Sequence, residues 1–405
     1  MKRVFLFVVL IVALALAPSY LTPALLNAAI QMLIAVLFAT AFNVLAGQGG
    51  MLSFGHAAYF AIGTFATIHA MNAVDGMGLL PTPLLPLLGA LAGCLLGIVA
   101  GWFSTQRSGV YFSMITLALA ELLHALAPHL KGVFGGEGGV SAMRMPAWGF
   151  DFGTSTEVYY LTLVWALIAI ALLFYFTRTP LGRLCNGLRE NTNRLRFLGY
   201  NVHRLRVMVF TISATFAGLA GGLQAMHNEA ANYVLFDMTL STQAVLFSYI
   251  GGIASFFGPA LGAAVMSFFG YAVSDLTRSW LLYQGIIFVL VMMFLPAGLF
   301  SILQWWQRSS LRHNMLVLIG ALLVWTLGVV AGGAGIVLIV ELLGRILSPD
   351  YHVAANMDWP AIQLFGQAWV PNAVMTWVWP VLLVILGVII TTTMTRKWQA
   401  MNEEQ

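Results

Sequence analysis

Side chains able to hold charge, protons or metal are scarce in this 405-residue chain: charged residues fill 8% of positions and hydrophobic ones 60%. An ordinary soluble domain carries about 25% charged residues. Glu121 follows Thr116-Leu117-Ala118-Leu119-Ala120 within an apolar stretch, where a carboxyl is expensive and is by default a functional candidate. It either offers a hydrogen bond to a passing polar solute or stays protonated against a neighbouring helix, with His124 one turn on to meet it. His56, His69 and His227 lack metal-ligand spacing and are expected near interfaces, so no metal site is expected. No H-E-x-x-H, G-x-S-x-G or closely spaced loop carboxylate pair occurs, which argues against an enzyme. Lys2, Lys131 and Lys397 are the only lysines, and none follows a glycine. A phosphate-binding Walker loop, which needs Gly-Lys followed by Ser or Thr, is therefore excluded. The chain is expected to use no cofactor itself, and any ATP-driven work must come from another polypeptide. Its net charge of +4 is not a nucleic-acid signal, because the cations cluster where a membrane protein keeps them.

Backbone chemistry is the second source of candidates. Gly49-Gly50-Met51-Leu52-Ser53-Phe54 recurs as Gly251-Gly252-Ile253-Ala254-Ser255-Phe256, and each copy interrupts an apolar stretch before a Gly/Ala-rich segment. Glycine in a helix costs roughly 1 kcal/mol relative to alanine. Irregular backbone at membrane depth survives only where protein or water satisfies it. The breaks either line a path for a polar solute or let helices approach closely, and the two readings are compatible.

The elements that position these residues are apolar blocks of roughly twenty residues, the length of a membrane-crossing helix. Alternating strands of a membrane barrel are absent. The expected fold is all-α: a polytopic helical membrane protein of about twelve spans, near 4–22, 24–46, 55–74, 84–103, 109–130, 157–177, 206–227, 241–256, 258–277, 281–300, 314–338 and 376–395. The two Gly-rich breaks then lie on one side, six spans apart, as a parallel internal duplication would place them. Lys2 and Arg3 put the N-terminus inside. Counting from there, Arg107, the seven arginines from Arg178 to Arg206, Arg308 with Arg312, and Arg396 with Lys397 all fall in the cytoplasm. The opposite loops carry Asp75, Glu137, Asp151, Glu157, Glu229, Asp237, Asp350 and Asp358, offset by Lys131, Arg144, Arg278 and Arg345. Both termini are thus expected in the cytoplasm. Ala15-Leu16-Ala17 after the basic start also resembles a signal-peptide cleavage site, although Pro18 argues against cleavage. Cys94 and Cys185 are expected to be unpaired thiols at different levels.

Between two spans, Thr179-Pro180-Leu181-Gly182 has the chemistry of a helix start. Leu184, Leu188, Leu195 and Leu198 predict one apolar helical face, arginines fill much of the rest, and Gly199 can end the helix. Such an amphipathic element lies on membrane lipid or docks a protein.

Four stretches resemble the permease subunits of branched-chain amino acid ABC importers, a family that includes urea and short-amide relatives. They are Asn43–Gly63, Gly109–Glu121 with Gly135–Gly139, Leu181–Asn201 continuing into Ala217–Gly222, and Gly251–Gly262 with Phe294–Leu299. Order and spacing fit over roughly 24–305. The resemblance implies that the loop is a coupling helix seated in a cytoplasmic ATPase, with Gly182, Arg183, Leu188, Arg189, Glu190, Asn191 and Gly199 as coupling residues. Asn43, Gly49, Gly50, Ser53, Glu121, Gly251 and Gly252 are the candidates for a translocation path. Asn186, Gly187, Thr192 and Arg194 depart from the small residues and carboxylate that the family usually has there. The implied partners are cytoplasmic ABC ATPase subunits, a second permease subunit in a heterodimer, a periplasmic solute-binding protein and lipid, with no nucleic acid. The implied location is the bacterial inner membrane, and the implied solute is a branched-chain or hydrophobic amino acid. A urea or short-amide permease of the same family is the alternative. A secondary transporter or channel would need paired ionisable groups in the bundle, and Glu121 is nearly alone. Residues 1–310 are expected to form the permease domain, with its cytoplasmic loop at 178–206. Residues 311–405, without a family counterpart, add a two-helix membrane extension and an outer loop bearing Trp359, Trp369, Trp377 and Trp379.

Overall fold

The computed structural model describes residues 2–74, 80–274, 277, 279–295, 297–302, 315–348, 351, 359–364 and 367–403. Asp75, Arg278, Arg308, Arg312, Asp350 and Asp358 lie outside the described residues, as does the side chain of Lys397. Helix dominates because a segment in hydrocarbon must satisfy its own backbone N–H and C=O groups. The first helices are α1 (Lys2–Tyr20), α2 (Pro23–Asn43), α3 (His56–Val74), α4 (Pro86–Ser104), α5 (Val110–Leu126) and the single turn α6 (Lys131–Phe134). They are followed by α7 (Ser155–Arg178), α8 (Pro180–Glu190), α9 (Thr192–Phe197), α10 (Val202–Asn228), α11 (Met238–Gly251), α12 (Gly258–Ser274) and α13 (Trp280–Phe294). The last two are α14 (Met315–Ile346) and α15 (Val374–Glu403). Each expected span falls on one of these helices. Among the described residues, six segments can cross a membrane by length and composition, or seven when the bent α5–α6 pair counts as one. Helices α11, α12 and α13 are shorter, at 14, 17 and 15 residues. The protein is a polytopic helical membrane protein.

The chain divides into two compact units. The first holds residues 1–275 and 287–301. Its centre is α2, buried along most of its length, with Leu37, Phe42 and Leu45 fully enclosed among residues of α3, α7 and α10. Small residues let backbones touch there: a Cβ on Gly93 would lie 2.9 Å from Gly218 Cα, and one on Gly89 would lie 2.8 Å from Gly218 O. Helices α4 and α10 therefore pack with no side chain between them, the small-residue contact expected in membranes. Helix starts carry their own acceptors. Thr154 and Glu157 form a reciprocal capping box on α7, and Asp237 accepts from Thr239 N at 2.7 Å at the start of α11. Those bonds to Thr239 hold the Asp237 carboxyl below its ordinary range.

At one end of this unit, strand β1 (Val140–Ser141) pairs antiparallel with β2 (Ala230–Ala231). Arg144 joins them to α10: its Nη1 donates to Met226 O at 2.5 Å, and its Nε lies 3.3 Å from Glu229 Oε1. A cation thus meets the free carbonyls at a helix C-terminus. Helices α8 and α9 close the other end.

The second unit holds residues 276–286 and 302–405. Its helices α14 and α15 run antiparallel, in contact at Gly328, Gly332 and Gly387. Strands β3 (Ile362–Leu364) and β4 (Gln367–Trp369) form a hairpin whose Ile362 and Leu364 cluster with Leu342, Trp369 and Trp377. Three of the four loop tryptophans are thereby placed: Trp369 Nε1 donates to Leu364 O at 3.3 Å, Trp377 Nε1 donates to Pro371 O at 2.9 Å, and Trp359 is exposed. The fourth, Trp379, is exposed on α15. Glu341 of α14 accepts from Tyr283 Oη at 2.8 Å and from Thr277 Oγ1.

Candidate functional site

The two glycine breaks lie against each other. Helix α2 ends in a π-helical turn, Val44–Gln48, in which Gly49 N donates to Val44 O at 3.1 Å. Such turns are rare and recur at functional sites. Asn43, fully buried, donates from Nδ2 to Ser255 O in the second break at 3.1 Å, and its Oδ1 has no partner. Gly47 abuts the Asn43 amide and the Ile253 carbonyl, so no Cβ fits there. In each copy the second glycine has positive φ, Gly50 at +67° and Gly252 at +111°, a conformation L side chains resist. The sequence repeat thus shares one backbone feature, a second glycine at positive φ. Behind the second break, Leu299 N donates to Ile250 O at 2.8 Å, and Gly252 sits against Ala297 O. Gly251 touches Gly258, and Gly49 approaches Leu45 O and Val209. Close packing is thus one reason for these glycines.

Hydroxyls that sequence reading passed over fix the first break. Ser113 Oγ donates to Leu52 O at 2.6 Å, Thr116 Oγ1 accepts from Phe54 N at 3.3 Å, and Ser241 Oγ accepts from Ala57 N at 2.8 Å. Ser53 Oγ accepts from Gly55 N at 3.3 Å. Ser213 Oγ donates to Ala41 O at 2.6 Å and lies 2.9 Å from His56 Nε2. With its proton so committed, Ser213 must accept from His56, which assigns the Nε2–H tautomer. His56 is fully buried, its ring 5.4 Å from Phe42 and 5.6 Å from Tyr59. Expected near an interface, it is instead a core residue, because Ser213 supplies the polar contact that makes burial tolerable. His69 is exposed and bonds Val133 O at 2.6 Å.

The loop is two helices, where a single one was expected. Thr179 caps α8 by accepting from Gly182 N at 3.1 Å, with Pro180 at the first position. Asn191 is extended (φ −159°) and caps α9 through Arg194 N at 3.1 Å. A side chain that can cap competes with helix continuation, so the apolar face is also broken: Leu188 and Leu195 are buried, but Leu198 is exposed. Gly199 (φ +85°) ends α9 as expected. Gly182 packs on the end of α7, where a Cβ would meet Phe176 O and lie 2.7 Å from Thr177 Cα. Cys185 is buried, its thiol pushed by desolvation up to about 12. Arg183, Glu190, Arg194, Arg196 and Phe197 are exposed. Arg189 Nη1 donates to Gly47 O at 2.7 Å, joining the loop to the first break. Of the candidate path residues, the structure gathers Asn43, Gly49, Gly50, Gly251 and Gly252, with Ser53 beside them. Glu121 stands apart. It is exposed on α5, on the side away from buried Phe112, Ser113, Thr116 and Ala120, while His124 turns its ring toward Tyr233 at 5.7 Å.

Known proteins share this arrangement in sequence. A family model described as the permease component of the branched-chain amino acid transport system matches residues 24–296. The high-affinity branched-chain amino acid transport system permease protein LivM of Salmonella typhimurium is 29% identical over 323 residues, 74% of this chain and 75% of that protein. A probable LivM of Methanocaldococcus jannaschii is 26% identical over 299 residues, 65% of this chain and 84% of its own. LivH of Salmonella typhimurium is 24% identical over 289 residues, 65% of this chain and 90% of its own. No solved structure matches the chain significantly. The matched stretch runs from the start of α2 through both breaks, α5 and the α8–α9 loop, and on this footing the chain belongs to the branched-chain amino acid transport permease family.

Proposed function

We propose that the chain is one membrane-spanning subunit of an ATP-driven importer carrying branched-chain or other hydrophobic amino acids into a bacterial cell across its inner membrane. The observation that carries this reading is the α8–α9 loop. It presents Arg183, Arg194, Arg196 and Phe197 outward while its buried face holds the broken spans. An exposed cationic rim around an apolar residue suits an acidic cleft on a protein partner, here a cytoplasmic ABC ATPase that hydrolyses the ATP. In this reading the loop end and both termini face the cytoplasm. The exposed face of α5, with Tyr111, Met114 and Glu121, meets a second permease subunit across the path, because lipid tolerates a carboxyl poorly. Asn43, Ser53 and the paired glycines form the gate at the loop end of that path. A periplasmic solute-binding protein delivers the solute, by likeness to relatives named for a transport system.

Uptake of radiolabelled leucine and of urea by proteoliposomes holding the permease pair and ATPase, with binding protein added, tests the reading. ATP-dependent leucine uptake is expected. Urea uptake in its place selects the short-amide alternative, and leucine uptake indifferent to ATP overturns the importer reading.

A further inference from the structure

The sequence offers Arg189 as a docking residue for the ATPase; in the structure the residue is exposed overall, yet its guanidinium reaches back to the first break. Nη1 donates to Gly47 O at 2.7 Å. That carbonyl lies in the last turn of a helix, where backbone acceptors lack an intrahelical donor. A guanidinium supplies the missing donor through a charge-assisted bond, roughly twice as strong as a neutral one. The stem of the same side chain lies on Gly50: a Cβ there would be 3.0 Å from Arg189 Cα, 3.1 Å from its Cβ and 3.2 Å from its Cγ. One residue of α8 therefore grips the first break at two points, one polar and one steric.

The grip continues into the second break. Gly47 is backed by Ile253 O, and Asn43 Nδ2 donates to Ser255 O. The second break is closed in turn by Leu299 N on Ile250 O. At its other end α8 is seated on α7 by the Thr179 cap and the Gly182 contact. Arg183, Arg194 and Arg196 are exposed as well, so the loop offers a partner three cations besides Arg189.

Resting on the importer reading, we propose that Arg189 is a positioning residue: a strut that makes α8 and the two glycine breaks move as one body, carrying displacement of the loop into the gate. Binding of the ATPase is left to the outward arginines. A push on α8 reaches Gly50 through the side-chain stem, and a pull reaches Gly47 through the hydrogen bond.

The test uses the complete complex with its ATPase. Arg189→Ala is expected to recover the ATPase at wild-type ratio and to keep hydrolysing ATP while leucine uptake falls by about tenfold or more. Arg189→Lys, which keeps one donor, should regain part of that loss. Loss of the ATPase on co-purification would overturn the strut and return Arg189 to docking, and uptake within about twofold of wild type would overturn it outright. A second measurement leaves Arg189 in place and needs no known solute. Spin labels at positions 186 and 48 of the otherwise native complex should keep their separation between nucleotide-free and ATP-bound states. A change of about half a helical turn's rise or more, roughly 3 Å, would sink the proposal. Absence of leucine uptake by the wild-type complex would count against the substrate reading alone, and the spin-label distance would still decide the strut.

Discussion

Glu121 illustrates how far a single residue can be read. Its place in an apolar helix is plain from its neighbours, but its facing depends on which side of α5 the rest of the protein covers. Phe112, Ser113, Thr116 and Ala120 are covered, and Glu121 shares the exposed side with Met114 and Leu122. Against lipid the carboxyl would lack hydrogen-bond partners, at a cost of several kcal/mol. Against a partner subunit and a wet path it can hydrogen-bond. Glu121→Gln preserves shape and hydrogen bonding and is expected to keep most uptake, whereas Glu121→Leu is expected to lower it by about tenfold. Initial rates in proteoliposomes, normalised to assembled complex, decide the matter. Equal rates for both variants would place Glu121 toward lipid or at the interface. Asn43 teaches the complementary lesson. An asparagine late in an apolar span signals a polar task, yet its partner Ser255 lies 212 residues away, and no local pattern names a partner at that distance.

At the scale of elements, helices were legible because hydrocarbon leaves the backbone no alternative, and each apolar block became one. The paired glycines were legible as interruptions and as a repeat. Their mutual packing was not, because pattern and spacing report neighbours along the chain. The Arg189–Gly47 bond spans 142 residues for the same reason. The loop was misread in one respect: its leucines suggest a continuous helix, and the capping preference of Asn191 divides it. This division sharpens an expectation about coupling. Proline at 188 lies within α8, where it removes a hydrogen bond and costs about 3 kcal/mol, enough to unseat a helix of 11 residues. Cys185 reports the event directly. In the seated helix the thiol is buried and held near 12, so at neutral pH the reactive thiolate is nearly absent. Released to water, its pKa falls toward about 8.5 and the thiolate fraction rises by roughly three thousandfold. With Cys94→Ser as background, maleimide should label the Leu188→Pro chain rapidly and the parent slowly, and ATPase recovery should fall with it. Rapid labelling with full ATPase recovery in Leu188→Pro would show that α8 is not the coupling element.

For the whole molecule, the question is what residues beyond the family match contribute. The match ends at 296, and among the described residues the three hydrophobic clusters of the first unit contain none beyond Leu299. The second unit has a core of its own, built from the glycine-lined α14–α15 contact and the Leu342 cluster. Within this unit Glu341 accepts from Tyr283 and Thr277, which the family match also covers. Ending the chain after residue 302 removes α14 and α15 and leaves two hydroxyls without their acceptor. Removing α14 also uncovers both groups, so each exchanges its hydrogen bond for one to water, at a net cost of about 1 kcal/mol. The shortened chain is therefore expected to insert, to recover the ATPase at the full-length ratio and to retain the melting transition of the first unit within a few degrees, the shift produced by about 1 kcal/mol. Glu341→Gln in the full-length chain is the matched control, since it weakens the acceptor without removing a helix. Loss of ATPase recovery on truncation but not in Glu341→Gln would show that the extension's helices are needed for assembly, against the expectation that the family-like chain folds on its own core. Loss in both would trace the dependence to the Tyr283–Thr277 anchor.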